Sequence, residues 1–425
     1  MAARPYGVRM LIAGAALLLA LGIAAFMFWR ERLPVVRMAN GVELRVAKVS
    51  VGTRHYFSEE KGWRRFATDF VPDRYLTRAG LTRSEFVRSH GSLVVWLTMF
   101  DAQSRANVPP KIARANIQFS EGRQSLGQVS AISSNVVQLE FPIYPRADRE
   151  LKIGFLSEGQ STNLTLRNPQ PEKLRNWQAR PLPQTNSTDH MIVWLIDDSS
   201  HGVRVYGRDP QGGSVGWMQW RVEVEDTAGN WEQFIANGSQ FREIVGRVYQ
   251  AGPLKLTVKP VEYISAGFVT NRAPGVIQEM EINERAAKLG IEKLFFIGTA
   301  EYLFTNGIPK LHTGAPLGTN VTFAATNSAN QWDVHIAARR PNLVAIYPAS
   351  AGVASFEARL RERTRRGNGG DLYQSYRPPV DARSFPPARL LRQFDIPTFY
   401  STNAIEAEII ARHRPVEFII SQEKR

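Results

Sequence analysis

The feature that most restricts this chain is an uncharged run of 20 residues, Met10 to Trp29, lying between Arg9 and Arg30. As a helix rising about 1.5 Å per residue, the run matches the roughly 30 Å hydrocarbon thickness of a bilayer. Trp29 then falls at the membrane–water boundary, where the apolar body and polar tip of an indole ring are both satisfied. A cleaved secretory signal is the alternative, but its apolar part is usually only about 7–15 residues and ends in small side chains. Here the run closes on Phe26, Met27, Phe28 and Trp29, and Ala20, Gly22, Ala24 and Ala25 offer only an internal cleavage point. The expectation is a short head, 1–9, and a transmembrane anchor, 10–29. Arginines flank the run on both sides, so orientation rests on the head being too short to hold a function. That places the body outside the cytoplasm, periplasmic or extracellular.

The remaining chain is too long for one hydrophobic core. Valine, isoleucine, tryptophan and phenylalanine recur in short runs between glycine, proline and asparagine, the texture of strands and turns. Val42-Glu-Leu44-Arg-Val46, Trp220-Arg-Val222-Glu-Val224, Ile405-Glu-Ala407-Glu-Ile409 and Val416-Glu-Phe418-Ile-Ile420 alternate with a period of two, as half-buried strands do. The stretch Asp226-Thr-Ala-Gly229-Asn230-Trp231 predicts a hairpin connection with glycine at positive φ. Prolines 169, 171, 181 and 183 mark a linker over 171–183, and Asn271, Pro274 and Gly275 mark a second over 267–290. Three β domains follow: 38–170, 184–266 and 291–425.

Internal echoes support that division. Ser92 to Asp101, centred on Trp96, parallels His190 to Asp197, centred on Trp194. Tyr144, Tyr249 and Tyr347 are each followed, seven and nine residues later, by apolar alternation: Leu151 and Ile153, Leu256 and Val258, Ala354 and Phe356. In layout the chain resembles a tandem immunoglobulin-like protein, mainly β after one N-terminal transmembrane helix, with a few short helices. The likeness is architectural and implies no function.

Two helical pieces interrupt the strands. In an insert at 61–71, Trp63, Phe66 and Phe70 share one helical face, suited to packing on the first domain or to pressing into a membrane interface. The second, Asn283 to Leu289, stops at Gly290.

The chain has no cysteine, which excludes disulfides, zinc–thiolate sites, iron–sulfur clusters and cysteine nucleophiles. Its net charge of +14 is spread along the sequence among acids, so nucleic acid is not the expected partner. Even the densest run, Arg359 to Arg366, alternates like the wet face of a strand. No pair among the seven histidines has metal-ligand spacing, and Asp197-Asp198-Ser199-Ser200-His201 reads as a polar turn rather than a triad. No catalytic residue, metal ligand or cofactor is assigned. The one pointer to a ligand is aromatic: Trp217, Trp220 and Trp231 lie close in sequence near Tyr206, a set suited to stacking on sugar rings or to packing a core. Asn163, Asn186, Asn237 and Asn320 begin Asn-x-Ser/Thr triplets. The expected role is a non-enzymatic envelope scaffold or adhesion module. A glycan- or wall-polymer-binding module is the alternative, and a hydrolase with dispersed residues comes third. The expected partners are the lipid bilayer and an envelope protein or glycan.

Overall fold

Alternating polarity becomes strand throughout the body. The computed structural model describes residues 34–421, except for 59–63, 199–201, 239–251, 315–332, 339–340, 349–354, 363–379, 386–388, 396–404 and a few shorter pieces. The 10–29 run with Trp29, and likewise Trp63, Phe66, Phe70, His201 and Asn320, lie outside the described residues. Among the described residues no helix is long and apolar enough to cross a membrane. The chain is mainly β, with several antiparallel sheets, and divides into two units, Met1–Leu174 and Arg175–Arg425.

The first unit holds β1 (Val35–Arg37), β2 (Val42–Phe57), α1 (Asp73–Arg78), β3 (Ser84–Asp101), β4 (Ile112–Gln118), β5 (Gln124–Ala131), β6 (Val136–Phe141), β7 (Glu150–Ser157) and β8 (Gln160–Arg167). Its strands run in the order β1-β2-β3-β6-β5-β4-β7-β8. Strand β5 makes a corner: residues 124–127 pair with β4, whereas 128–131 pair with β6. Gly127 sits at the turn because a Cβ there would meet the Phe141 ring at 2.5 Å. A strand that changes partner at such a bend is how one sheet closes on its own apolar face.

The β2–β3 hairpin bends a second time. Phe57 stacks on Trp96 with centroids 5.4 Å apart, although Trp96 pairs with Lys48, nine residues before Phe57. A straight strand would separate those positions by about 30 Å, so the hairpin doubles back. The turn is at Gly52, whose φ of 128° suits glycine and where the register with β3 shifts. His55 fastens the fold-back: Nδ1 lies 3.1 Å from Ser50 Oγ and Nε2 3.0 Å from Ser92 Oγ. Across the bend, Arg146 donates to the Gly91 carbonyl, is held by Glu172 at 3.0 Å and lies over the Tyr144 ring. Trp96 is thus fully buried, whereas its sequence counterpart Trp194 faces outward and is half-buried. The echo between them is local only.

The second unit contains β9 (Gln184–Thr188), β10 (Met191–Asp198), β11 (Gly202–Arg208), β12 (Trp217–Asp226), β13 (Trp231–Asn237), β14 (Leu254–Val269), β15 (Ile277–Glu279), α2 (Glu284–Lys288), β16 (Lys293–Ile297), β17 (Ala300–Thr305), β18 (Ile308–Leu311), β19 (Asp333–Ala338), β20 (Asn342–Pro348), β21 (Ser355–Glu362), β22 (Val380–Phe385), β23 (Arg389–Asp395), β24 (Ile405–Arg412) and β25 (Val416–Ile420). Its sheets are β11-β10-β9, β13-β12-β14-β24-β21 with β25 also on β14, β15-β16-β20-β23-β22, and β18-β17-β19. Strand pairing crosses the boundary drawn at 267–290. Val416–Ile420 does not close a separate last domain, because it pairs with residues 254–258 of β14, and β24 pairs with 261–269. The neighbour changes around Pro260, which has no N–H for a ladder and whose carbonyl accepts from the His413 N–H at 3.0 Å.

Two apolar cores lie along the same face of β14. Leu254, Leu256 and Val258 pack with β10, β11, β12 and β25; Ile264 and Ala266 pack with β16, β20, β21 and β24. Strands β16 and β20 are buried on both faces, since their alternate residues pack with β17 and β19. Of the arginine run, Arg359 and Arg361 lie in β21, in register with Glu408 and Glu406 of β24, and 363–366 lie outside the described residues. The hairpin at Asp226 forms with Gly229 at φ 85° and the Asp226 carboxylate accepting from the Ala228 and Asn230 N–H groups. Helix α2 is capped by the Asn283 side chain, which accepts from Ala286 N, and ends at Gly290 with φ 96°.

Burial holds the His55 imidazole below its usual pKa, so the neutral form is the one the fold stabilises. Its contribution is therefore complete above about pH 6.5 and is lost as the pH falls below that value. Protection of the β2 and β3 amides, corrected for intrinsic exchange, should drop between about pH 7.5 and 5.5 in the parent and stay level in His55→Gln. Equal pH dependence in both proteins would show that His55 does not fasten the bend.

Candidate functional site

Between the two cores of β14, where alternation calls for another apolar residue, stands Glu262. Its side chain has no exposure to solvent, and three other segments supply its partners directly. Arg285 of α2 clasps it with two bonds, Nε to Oε1 at 2.8 Å and Nη2 to Oε2 at 2.9 Å. The Gly216 N–H, entering β12, donates to Oε1 at 2.7 Å, and His413 Nε2, just past β24, lies 2.9 Å from Oε2. Arg285 also donates to Asp209 Oδ2 at 2.9 Å, beyond β11, and to the His190 carbonyl at 3.0 Å, before β10. Lys288 Nζ stands 3.8 Å from the same Asp209 oxygen.

Burial pushes the Glu262 pKa up, but the bonds from His413, Arg285 and Gly216 outweigh it and hold the group at about 2. Burial likewise works against the Arg285 charge, and Glu262 and Asp209 together keep its pKa above the ordinary value. A carboxylate offers about four lone-pair directions. All four at Glu262 are filled by the chain's own groups, and a saturated, solvent-free carboxylate has nothing left with which to move a substrate proton. The cluster clamps the two cores together.

The aromatic residues do not gather into one platform. Trp220 is fully buried: its Nε1 donates to the Gly238 carbonyl at 2.6 Å and its ring covers Gly207. Trp217 lies on the opposite face of β12, 46% exposed, with its ring edge-to-face with Tyr263 at 5.0 Å. Trp231 shares that outer face but stands opposite Glu225, eight positions along β12 and so about 26 Å away. Tyr206 belongs to another sheet, stacked on Trp194 at 5.4 Å and 11°.

That sheet presents three columns outward. Strand β9 supplies the exposed hydroxyls of Thr185 and Ser187. Strand β10 supplies Ile192, Trp194 and Ile196, and β11 supplies Arg204, Tyr206 and Arg208. Arg208 is exposed and its guanidinium lies 5.7 Å from the Trp194 ring centroid. On the facing edge, Gln184 and Asn186 side chains donate to the Ile419 and Glu417 carbonyls of β25 at 3.0 and 3.1 Å. The Asn186 amide nitrogen, the atom a glycan would occupy, is thus engaged in joining the two sheets.

Sequence reasoning noted His190 and His413 but paired neither, and passed over Arg285 and Glu262. The available signal was an acid at an inward position of an otherwise apolar alternation. Among the described residues no group of three or more histidine, aspartate and glutamate side chains is arranged to hold a metal. These features define a mainly β protein whose sheets are locked by a buried ion cluster. No protein-family model matches the chain, and no curated protein matches it either.

Glu262→Gln should cost about 3 kcal/mol, because Arg285 keeps Asp209 but loses its buried bidentate partner, and the new amide N–H faces groups that themselves donate. In the parent, a folded pKa of about 2 against an ordinary 4.5 contributes about 3 kcal/mol above pH 4.5, lost as the pH falls from 4.5 towards 2. Denaturant midpoints read by tryptophan fluorescence at neutral and acid pH check both, and unchanged midpoints at neutral pH would mean that the cluster is solvated. At Gly207 an added Cβ would lie 2.5 Å from Trp220 Cη2, so Gly207→Ala should lower stability by about 1–3 kcal/mol. A melting temperature equal to the parent's would show that Trp220 shifts freely.

Proposed function

We propose that this chain is a membrane-anchored, extracytoplasmic protein built of tandem immunoglobulin-like β-sandwiches, acting as a non-enzymatic envelope scaffold or adhesion module. The observation that carries this reading is the saturation of Glu262: among the described residues, this assembly of buried titratable groups is spent on holding sheets together. The apolar run 10–29 supplies the anchor, since it carries no charge and the transfer of its leucine, isoleucine and phenylalanine side chains from water into lipid is favourable. Extended sheets locked by internal charge suit a body that transmits or resists force at a surface.

A second reading, a glycan- or wall-polymer-binding module, is supported by the aromatic side chains on the outer faces of both sheets of 184–266. Trp217 is the most exposed of those placed above, and the Trp194–Tyr206 stack is flanked by arginines.

Membrane fractionation with protease accessibility tests the first reading. The full-length chain should sediment with membranes, enter solution only with detergent, and lose its body to protease added outside intact cells. Recovery in the cytosolic fraction without detergent would remove the anchor and the extracytoplasmic role together.

A further inference from the structure

The outward face of β9-β10-β11 joins three kinds of chemistry in adjacent columns. Hydroxyls stand on β9, a Trp194–Tyr206 stack spans β10 and β11, and Arg208 projects beside Trp194. Arg204 sits four residues from Arg208 on the same face, about 13 Å along the strand. In these columns one outward register position is an aspartate, Asp198, which pairs with Gly202 at the Arg204 end, six residues along β10 from Ile192, the partner of Arg208. The face is therefore apolar in the middle and positive at its Arg208 end, away from Asp198, and the net charge of +14 adds an attractive field for an anion.

A neutral sugar would leave the arginine side unused. A nucleic acid strand needs cations spaced along its whole backbone and aromatic rings for successive bases, which one stack and two arginines do not supply. A sugar chain bearing carboxylates satisfies each column: ring C–H groups against the aromatic stack, hydroxyls against Thr185 and Ser187, and an acid group against the planar guanidinium of Arg208.

We propose that the outward face of β9-β10-β11 is a subsite for an acidic polysaccharide, with Trp194 and Tyr206 against the sugar ring and Arg208 against its carboxylate. This rests on the glycan-binding reading and narrows it to anionic polymers and to a face other than that of Trp217.

The test uses the full-length chain in a polyoxyethylene detergent, which has no sugar headgroup to compete. It is titrated with polygalacturonate, an uncharged galactan of similar length and an oligothymidylate. Polygalacturonate should bind about tenfold or more tighter than the galactan, and its binding should weaken as salt rises from about 50 to about 200 mM. Arg208→Glu should reduce that binding about tenfold, and Trp194→Ala should reduce it also. Arg208 is exposed, so its reversal leaves folding intact even where Trp194→Ala loosens the sheet. Equal binding of the two polysaccharides, or a loss caused by Trp217→Ala and not by Arg208→Glu, overturns the acidic subsite and leaves glycan binding standing. Tighter binding of oligothymidylate overturns the subsite in favour of a nucleic acid. Failure to bind either polysaccharide overturns both the subsite and the glycan reading.

Discussion

The second unit depends on how one buried negative charge is compensated. Moving a lone carboxylate out of water costs several kcal/mol even after relaxation, and Glu262 sits where two apolar cores leave no water to solvate it. Its compensation is distributed over α2, the entry to β12 and the turn after β24, with Asp209 balancing Arg285 in turn. None of these segments can move far without leaving an unpaired charge inside the protein. An apolar residue at 262 would pack, but it would not specify which segments must meet there. The ion cluster gives the junction between the two cores a single arrangement.

Strand β14 is the element on which that arrangement is laid out. Its first half joins β25 and its second half joins β24, and the change falls at a proline that cannot extend a ladder. The C-terminal strands thus complete sheets begun some 150 residues earlier in sequence. The first unit solves the same problem of closing an apolar face by bending: at Gly127, where Phe141 needs the space of a missing side chain, and at Gly52, where the hairpin returns over Trp96. In one unit closure comes from distant strands and in the other from glycine-permitted corners.

Much of this was legible locally. The period of two located β2, β12, β24 and β25, and the Asp226–Trp231 turn and the Asn283–Gly290 helix followed from short-range hydrogen bonding that needs only neighbouring residues. The alternation after Tyr144 also marked residues that turn inward, Leu151 and Ile153. Partnership was not legible. The pattern of Val416–Ile420 states that one side faces a core but not which core, so it was assigned to the nearest sheet in sequence when its partner is Leu254–Val258. Trp96 and Trp194 have like flanks and unlike surroundings for the same reason. The tryptophans of β12 could be separated in principle, since Trp217 and Trp220 differ by an odd number of positions and must point to opposite faces.

The sequence alone determined that the body is β-rich, that cysteine chemistry is absent, and where most turns fall, because these depend on residue type and on contacts a few positions apart. Which strands share a sheet, why an acid stands inside β14, and which aromatic side chains meet water were decided only in three dimensions. Those properties depend on groups far apart in sequence: Glu262 has its meaning from Arg285 and His413, and Trp220 is buried because Gly207 leaves room for it. Period and composition carry no record of such distances, whereas desolvation and packing act on nothing else.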